Sequence, residues 1–339
     1  MREMLQSTLI RVIVTPNFNL AATMNFIDPF RAVNYLEGLS LFRWEIASDM
    51  GGPCVASNGV SIDTQALVNL DEVAPDITIV SSSWTPEDVS TARINKALRT
   101  AARAGKTIGG LDTGAFILAE TGLMRGKRAT VHYEHIDSFI ELFPNIDVSE
   151  NLSVFDGKFI TCSGGVASVD FALRIIHSTL GPAISNAAAR YIFHPEFRGA
   201  GKSQNPSGDE PMGANVPDTV KQAISEMEAH LEDPLTIPEI SKNIGISQRQ
   251  LIRLFSRYLN KTPVLYYRDI RLDRARGLVT QTTLSMAEIA VASGFSNQVH
   301  FSRAYRERFG LSPLQDRGEG RIPFEFRAWP LHRNPKGEA

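Results

Sequence analysis

The stretch from Thr236 to Phe309 carries one local pattern twice, and that pattern restricts what the segment can fold into. The first copy reads Ile237-Pro238-Glu239-Ile240, then Gly245-Ile246-Ser247, then Leu251-Ile252-Arg253-Leu254-Phe255. The second reads Met286-Ala287-Glu288-Ile289, Gly294-Phe295-Ser296 and Phe301-Ser302-Arg303-Ala304-Tyr305. Ser247 to Ser296 is a step of 49 and Arg253 to Arg303 a step of 50, so one residue is inserted. In each copy a short apolar-faced helix ends at a glycine free to take φ > 0 in a tight helix-to-helix turn. The serine that follows is expected to cap the next helix. Apolar positions in that helix recur at helical spacing and its arginines point elsewhere. Each copy therefore reads as a helix-turn-helix unit whose second helix enters a DNA major groove.

Charge supports the same partner. Over residues 1–215 there are 17 Lys and Arg against 23 Asp and Glu, whereas residues 216–317 carry 14 against 11. Between Ser247 and Arg276 the balance is 8 to 2, so the basic charge is focused on the first reading helix and the helix after it. Phosphate attraction needs that local density, not a high overall pI. Thr262-Pro263 starts a long helix through Tyr266, Tyr267, Arg268, Arg271, Leu272, Arg274, Ala275 and Leu278. A stiff element there would let two reading helices reach grooves about 34 Å apart on one DNA face.

Residues 218–316 resemble the AraC/XylS-type DNA-binding domain. The resemblance rests on Ala287-Glu288-Ile289-Ala290, Gly294-Phe295-Ser296, His300-Phe301-Ser302-Arg303-Ala304-Tyr305 and Phe309-Gly310-Leu311-Ser312-Pro313. It implies an all-α domain of seven helices with two helix-turn-helix motifs and a role in transcription activation, with promoter DNA and RNA polymerase as partners. It also implies base-reading positions at Arg249, Ile252 and Arg253, with Gln250 nearby, in the first unit. In the second they fall on Gln298, Val299, His300 and Arg303. Arginine can pair bidentately with guanine and glutamine with adenine, while Ile252 and Val299 offer only apolar contact. Ser247, Ser296 and Arg257 suit phosphate. A second reading of Arg253 and Arg303 is structural, bracing the domain through Glu239 or Glu288.

The first two-thirds of the chain alternates strand and helix signals. Leu9–Val14, Phe42–Ser48, Ile77–Val80, Thr107–Leu111, Arg128–Val131 and Phe159–Cys162 read as strands. Leu20–Leu36, Pro86–Ala104, Thr113–Thr121 and Val166–Leu180 read as helices. This order argues for an α/β layer fold with a mostly parallel, buried sheet. Arg198–Pro217, rich in Gly, Pro, Ser and Asn, reads as a mobile linker, and 318–339 as an irregular tail. The domains expected are thus 1–197, a linker at 198–217, 218–317 and the tail. With only Cys54 and Cys162, no apolar run of about 18 residues and no signal-peptide pattern, a reducing cytoplasm is expected, without membrane association. Both cysteines read as buried small hydrophobes, and His177 and His194 as structural residues without visible partners.

The segment Ile108-Gly109-Gly110-Leu111-Asp112-Thr113-Gly114-Ala115-Phe116 is a strand, a sharp turn and a helix start. In hydrolases this geometry presents a nucleophile beside backbone N–H groups. Residues 8–195 resemble the PfpI-like, class I glutamine amidotransferase-like fold, a flavodoxin-like, doubly wound parallel sheet. Fused to the AraC-type module, the chain resembles a transcriptional regulator of the GlxA type. In the enzymes of that fold the turn residue is cysteine; here it is Asp112, a poor replacement for a thiolate. By the resemblance, His132 matches the catalytic histidine and Asp28 a supporting carboxylate, while Ser81-Ser82-Ser83-Trp84 replaces a glycine pair that supplies anion-hole amides.

The expectation is a ligand sensor without catalytic residues, and no cofactor or metal is expected. Asp28 and Asp112 would bring two carboxylates to one crevice, with Thr113, His132, Phe18, Trp84 and Tyr133 around it. Carboxylates beside aromatic faces suit an organic cation. The resemblance implies effectors such as arginine, betaine or carnitine, and a homodimeric, effector-responsive activator. Asp112 has a second reading as a cap for the helix that follows. Two alternative functions stay open: an amidohydrolase- or glyoxalase-like enzyme with a DNA anchor, and an architectural DNA-binding protein.

Overall fold

A computed structural model describes residues 7–70, 74–194, 201–204 and 216–319. The chain forms two compact units that divide between Gln204 and Asn205.

The first unit is built on β1 (Thr8–Val14), α1 (Leu20–Glu37), β2 (Phe42–Ser48), β3 (Gly52–Val55), β4 (Ser61–Ala66), β5 (Ile77–Ser82), α2 (Pro86–Val89), α3 (Ala92–Arg103), β6 (Thr107–Asp112) and α4 (Gly114–Glu120). It continues with β7 (Arg128–Ala129), α5 (Ile136–Leu142), β8 (Asp147–Val148), β9 (Ser153–Asp156), β10 (Phe159–Cys162), α6 (Ala167–Leu180) and α7 (Pro182–Tyr191). Eight strands form one sheet in the order β3-β4-β2-β1-β5-β6-β10-β9. The neighbours from β4 to β10 pair parallel, and β3 and β9 join antiparallel at the two edges. The central strands read as near-continuous apolar runs because both faces are covered. Phe26 and Phe30 of α1, Phe171 and Ile176 of α6 and Ala188 of α7 pack with Ile10, Val12 and Ile79 on one face. Leu98 of α3, Phe116 of α4 and Phe139 of α5 pack with Ile13, Val80 and Ile108 on the other. From β1 the chain crosses outward to β2, and from β5 it crosses the opposite way to β6. The strand order therefore reverses between β1 and β5, the place where sheets of this kind open a crevice.

Three sequence expectations change here. Pro86–Ala104 is two helices, because Thr91 caps α3 through the Ile94 N–H (3.3 Å) and is itself held by Asp49 (3.0 Å), which also binds Arg93. The strand at Arg128–Val131 stops after Ala129, because the Thr130 N–H donates to the Thr161 hydroxyl (2.8 Å) instead of a ladder partner. Within the expected linker, Gly201–Gln204 is docked on the first unit. Ser203 bridges Asn151, and the Gln204 amide donates to the Val131 carbonyl (2.7 Å) and the Thr130 hydroxyl (2.9 Å). Residues 198–200 and 205–215 of that linker and 320–339 of the tail lie outside the described residues.

The second unit is helical: α8 (Asp218–Ala229), α9 (Ile237–Asn243), α10 (Gln248–Leu259), α11 (Pro263–Gln281), α12 (Met286–Ala292), α13 (Gln298–Phe309) and α14 (Pro313–Glu319). It has two small cores. Val220, Ile224, Ile240, Leu251 and Phe255 form the first, and Leu272, Leu278, Ile289, Phe301 and Tyr305 the second. The 19-residue α11 runs about 28 Å, lending Tyr267 and Ile270 to the first core and Leu272, Ala275 and Leu278 to the second. Gly245 (φ 72°) and Gly294 (φ 69°) make the turns. Ser247 caps α10, as expected. Ser296 does not cap α13; Asn297 does, its side-chain oxygen accepting from both Val299 N (3.0 Å) and His300 N (2.9 Å). The inserted residue of the repeat is thus an extra turn residue before α13.

A methyl group on Gly294 would lie 2.5 Å from the Leu231 carbonyl oxygen, at a left-handed φ. Gly294→Ala is therefore expected to destabilise the helical unit by about 2 kcal/mol or more. Urea unfolding of the full chain followed by helical circular dichroism measures this, and a change below about 0.5 kcal/mol contradicts it.

Candidate effector crevice and candidate DNA interface

At the end of β6 the backbone turns through Asp112 at φ 59°, a left-handed conformation that aspartate tolerates better than most residues. Small residues make the turn possible. A methyl group on Gly114 would collide with the Val80 carbonyl, and one on Gly110 would lie 2.6 Å from Ala115 N. Asp112 is 4 % exposed. Its Oδ2 accepts from Asn19 Nδ2 at 2.8 Å, and its carboxylate also takes the Thr113 N–H. Burial pushes its pKa up to about 6, against the opposing pull of the His132 charge and the Asn19 hydrogen bond. Asn19 has two roles, because its Oδ1 caps α1 through Ala22 N (3.0 Å).

Buried hydroxyl groups pair with one another at the neighbouring strand ends. Thr15 donates to Ser82 (2.9 Å), and the Thr23 and Ser81 hydroxyls share a 2.8 Å bond. The arrangement lies at the β1/β5 reversal. His132 is half-buried, with its N–H on the Asp112 carbonyl (3.4 Å) and its ring 4.6 Å from that of Tyr133, which is 60 % exposed. Trp84 is half-buried in the loop after β5.

Three of the expected crevice residues have other placements. Asp28 lies nine positions after Asn19 on α1, about 13 Å along the helix, where it binds Arg31 at 2.5 Å on the exposed side. It brings no second carboxylate to Asp112. Phe18 is fully buried in the core and offers no face to a ligand. Thr113 is also fully buried and gives its hydroxyl to the Ser83 carbonyl. Asp112 is not the N-cap of α4; Thr113 is. Cys162 and Cys54 are buried thiols pushed up to about 12 and about 11 by desolvation. His194 does have a partner, Asp170, at 2.8 Å. Among the described residues no group of three or more His, Cys, Asp or Glu could hold a metal ion, and no helix is long and apolar enough to cross a membrane.

In the helical unit, α10 buries Leu251 and Phe255, and Ser247, Arg249, Gln250, Ile252, Arg253 and Arg257 are exposed around the rest of it. Helix α13 buries Phe301 and Tyr305, leaving Gln298, Val299, His300 and Arg303, with Ser296 before them, exposed. The bracing alternative for the arginines loses its partners. Glu239 closes a capping box with Thr236 (2.7 Å), and Glu288 closes one with Ser285 (2.8 Å). Arg257 stacks on Tyr258 at 5.5 Å.

Residues 240–319 match the helix-turn-helix domain family, and residues 11–178 match the DJ-1/PfpI family. The chain is 38 % identical over 306 residues to the HTH-type transcriptional regulator CdhR of Pseudomonas aeruginosa, covering 90 % of each. It is 34 % identical to the HTH-type transcriptional regulator GbdR of the same species, covering 89 % of this chain and 82 % of that one. It is 32 % identical to the HTH-type transcriptional regulator GlxA of Rhizobium meliloti, covering 88 % and 91 %.

Proposed function

This chain belongs to the HTH-type transcriptional regulators that join a DJ-1/PfpI domain to an AraC-type DNA-binding domain, and from that premise we propose that it is switched by a small organic cation held at Asp112. The observation that carries the proposal is the buried carboxylate of Asp112, bonded to Asn19, at the strand-order reversal. A carboxylate kept from water is costly when ionised, and the amide and imidazole beside it offset only part of that cost. A cation of the amine or amino-acid class, including guanidinium and quaternary ammonium compounds, would offset that cost. Half-buried Trp84 and exposed Tyr133 would supply the aromatic faces.

The domain works by binding without turnover, since an aspartate in the elbow lacks the nucleophilicity of a thiolate. The effector changes DNA occupancy only through differential affinity for two states of the chain. The chain acts as an activator contacting RNA polymerase, as a homodimer, in the cytoplasm. Isothermal titration of the full chain against amino acids, quaternary amines, neutral metabolites and dicarboxylates tests the effector. Binding of at least one organic cation, strengthening as pH rises through about 6 and lost in Asp112→Asn, is expected. Binding confined to anions contradicts it.

A further inference from the structure

One buried carboxylate in the helical unit is shared by the trailing ends of both reading helices. Asp269 of α11 has a side chain only 12 % exposed. Its Oδ2 receives Lys261 Nζ at 2.6 Å and Arg308 Nη1 at 3.0 Å. Lys261 directly follows Asn260, the left-handed residue (φ 51°) that ends α10. Arg308 is in the last turn of α13. The same arginine reaches Asp273, one turn further along α11, at 2.7 Å. Alone, Asp269 and Asp273 at i and i+4 would repel each other. Arg308 lies against both and converts that repulsion into a two-point grip. A parallel pair, Arg268 to Glu307 at 3.3 Å, adds a second tie between α11 and α13.

Position adds to the case. On α11, Tyr267 and Ile270 face the first core and Leu272 faces the second. Asp269 is therefore at the seam between the two cores. Charge-assisted bonds to a poorly solvated carboxylate are short and directional, which suits them to fixing an angle. Resting on the reading of α10 and α13 as base-contacting helices, we infer that Asp269 is a positioning residue. It fixes the distance and rotation between the two helices and thereby selects the spacing between DNA half-sites. The Lys261 and Arg308 contacts are the two arms of that clamp.

The test uses the full chain and duplexes enriched from a random pool by the wild-type protein. Affinity is compared on the enriched duplex, on versions with one base pair inserted or removed between half-sites, and on each half-site alone. An inserted pair displaces the second half-site by about 3.4 Å and rotates it by about 34°, so a fixed pair of heads loses roughly tenfold in affinity. Asp269→Asn and Arg308→Gln are expected to shrink that penalty to about threefold or less while half-site affinity stays within about twofold of wild type. The double variant is expected to behave like either single one. Unchanged spacing discrimination in both variants overturns the inference. So does an equal loss on half-sites and full sites, which indicates a folding role. A wild-type chain that enriches no sequence overturns the DNA reading itself, and the clamp's role with it.

Discussion

Replacing Asp112 with asparagine is expected to make the protein more stable at neutral pH while removing its response to the effector. The folded-state pKa of Asp112 is raised from 3.8 to about 6. Between about pH 4 and 6 the native chain therefore binds more protons than the unfolded one, and stability falls as pH rises through that window. Below about pH 4 the carboxyl is neutral in both states and the cost vanishes. Above about pH 6 it is ionised in both, and burial costs about 2 to 3 kcal/mol. Asparagine keeps an acceptor for the Asn19 amide, tolerates the left-handed turn and carries no charge. Asp112→Asn should thus match wild type near pH 4 and exceed it by about 2 kcal/mol at pH 7, a rise of several degrees in Tm. Urea unfolding of the full chain at a series of pH values, followed by tryptophan fluorescence with Trp44 and Trp84 in the sheet unit, measures the two profiles. Parallel profiles, or a less stable variant at pH 7, contradict the account. A gain in stability coupled to a loss of response is the trade-off expected where a charge is held for function.

What could be read from the chain alone follows the range of the interactions involved. The two helix-turn-helix units were legible because their determinants are local: a glycine turn, a 3.6-residue apolar period and a basic outer face. The cap of α13 is ambiguous in sequence because Ser296 and Asn297 can both cap, and geometry selects Asn297, which reaches two N–H groups. The elbow at Asp112 was legible from its glycines. Asn19, its direct partner, was not, because the contact spans 93 positions. Its only local signal was an asparagine at the start of a helix. Asp28 was placed in the crevice by family resemblance, which does not register its local partner Arg31 on an exposed helix face. Strands β3 and β4 carry a weak sequence signal because they form one edge of the sheet, where Ser61–Ala66 is mostly polar. The break between α2 and α3 depends on Asp49, a residue far away in sequence.

Arg253→Ala and Arg303→Ala should each weaken binding to the enriched duplex by about 1 to 3 kcal/mol, roughly tenfold to a hundredfold. Each should also relax base preference within one half-site only. Both arginines are exposed on the outer faces of α10 and α13, and the carboxylates that could have braced them are held in capping boxes. Arg257→Ala behaves differently if that residue meets phosphate: affinity falls on all sequences and the salt slope drops by about one. Electrophoretic shifts on the enriched duplex and on half-site variants, at two salt concentrations, separate the cases. Equal loss on specific and random duplexes for Arg253→Ala and Arg303→Ala contradicts their assignment to bases.

On this reading one chain presents two separate helices, α10 and α13, to consecutive major grooves on one face of DNA. Hydroxyl-radical footprinting of wild type, Arg253→Ala and Arg303→Ala on the same duplex tests it most directly. Two protected patches per chain about ten base pairs apart are expected, with each variant losing a different one. A single patch per chain, or the loss of the same patch in both variants, would contradict it.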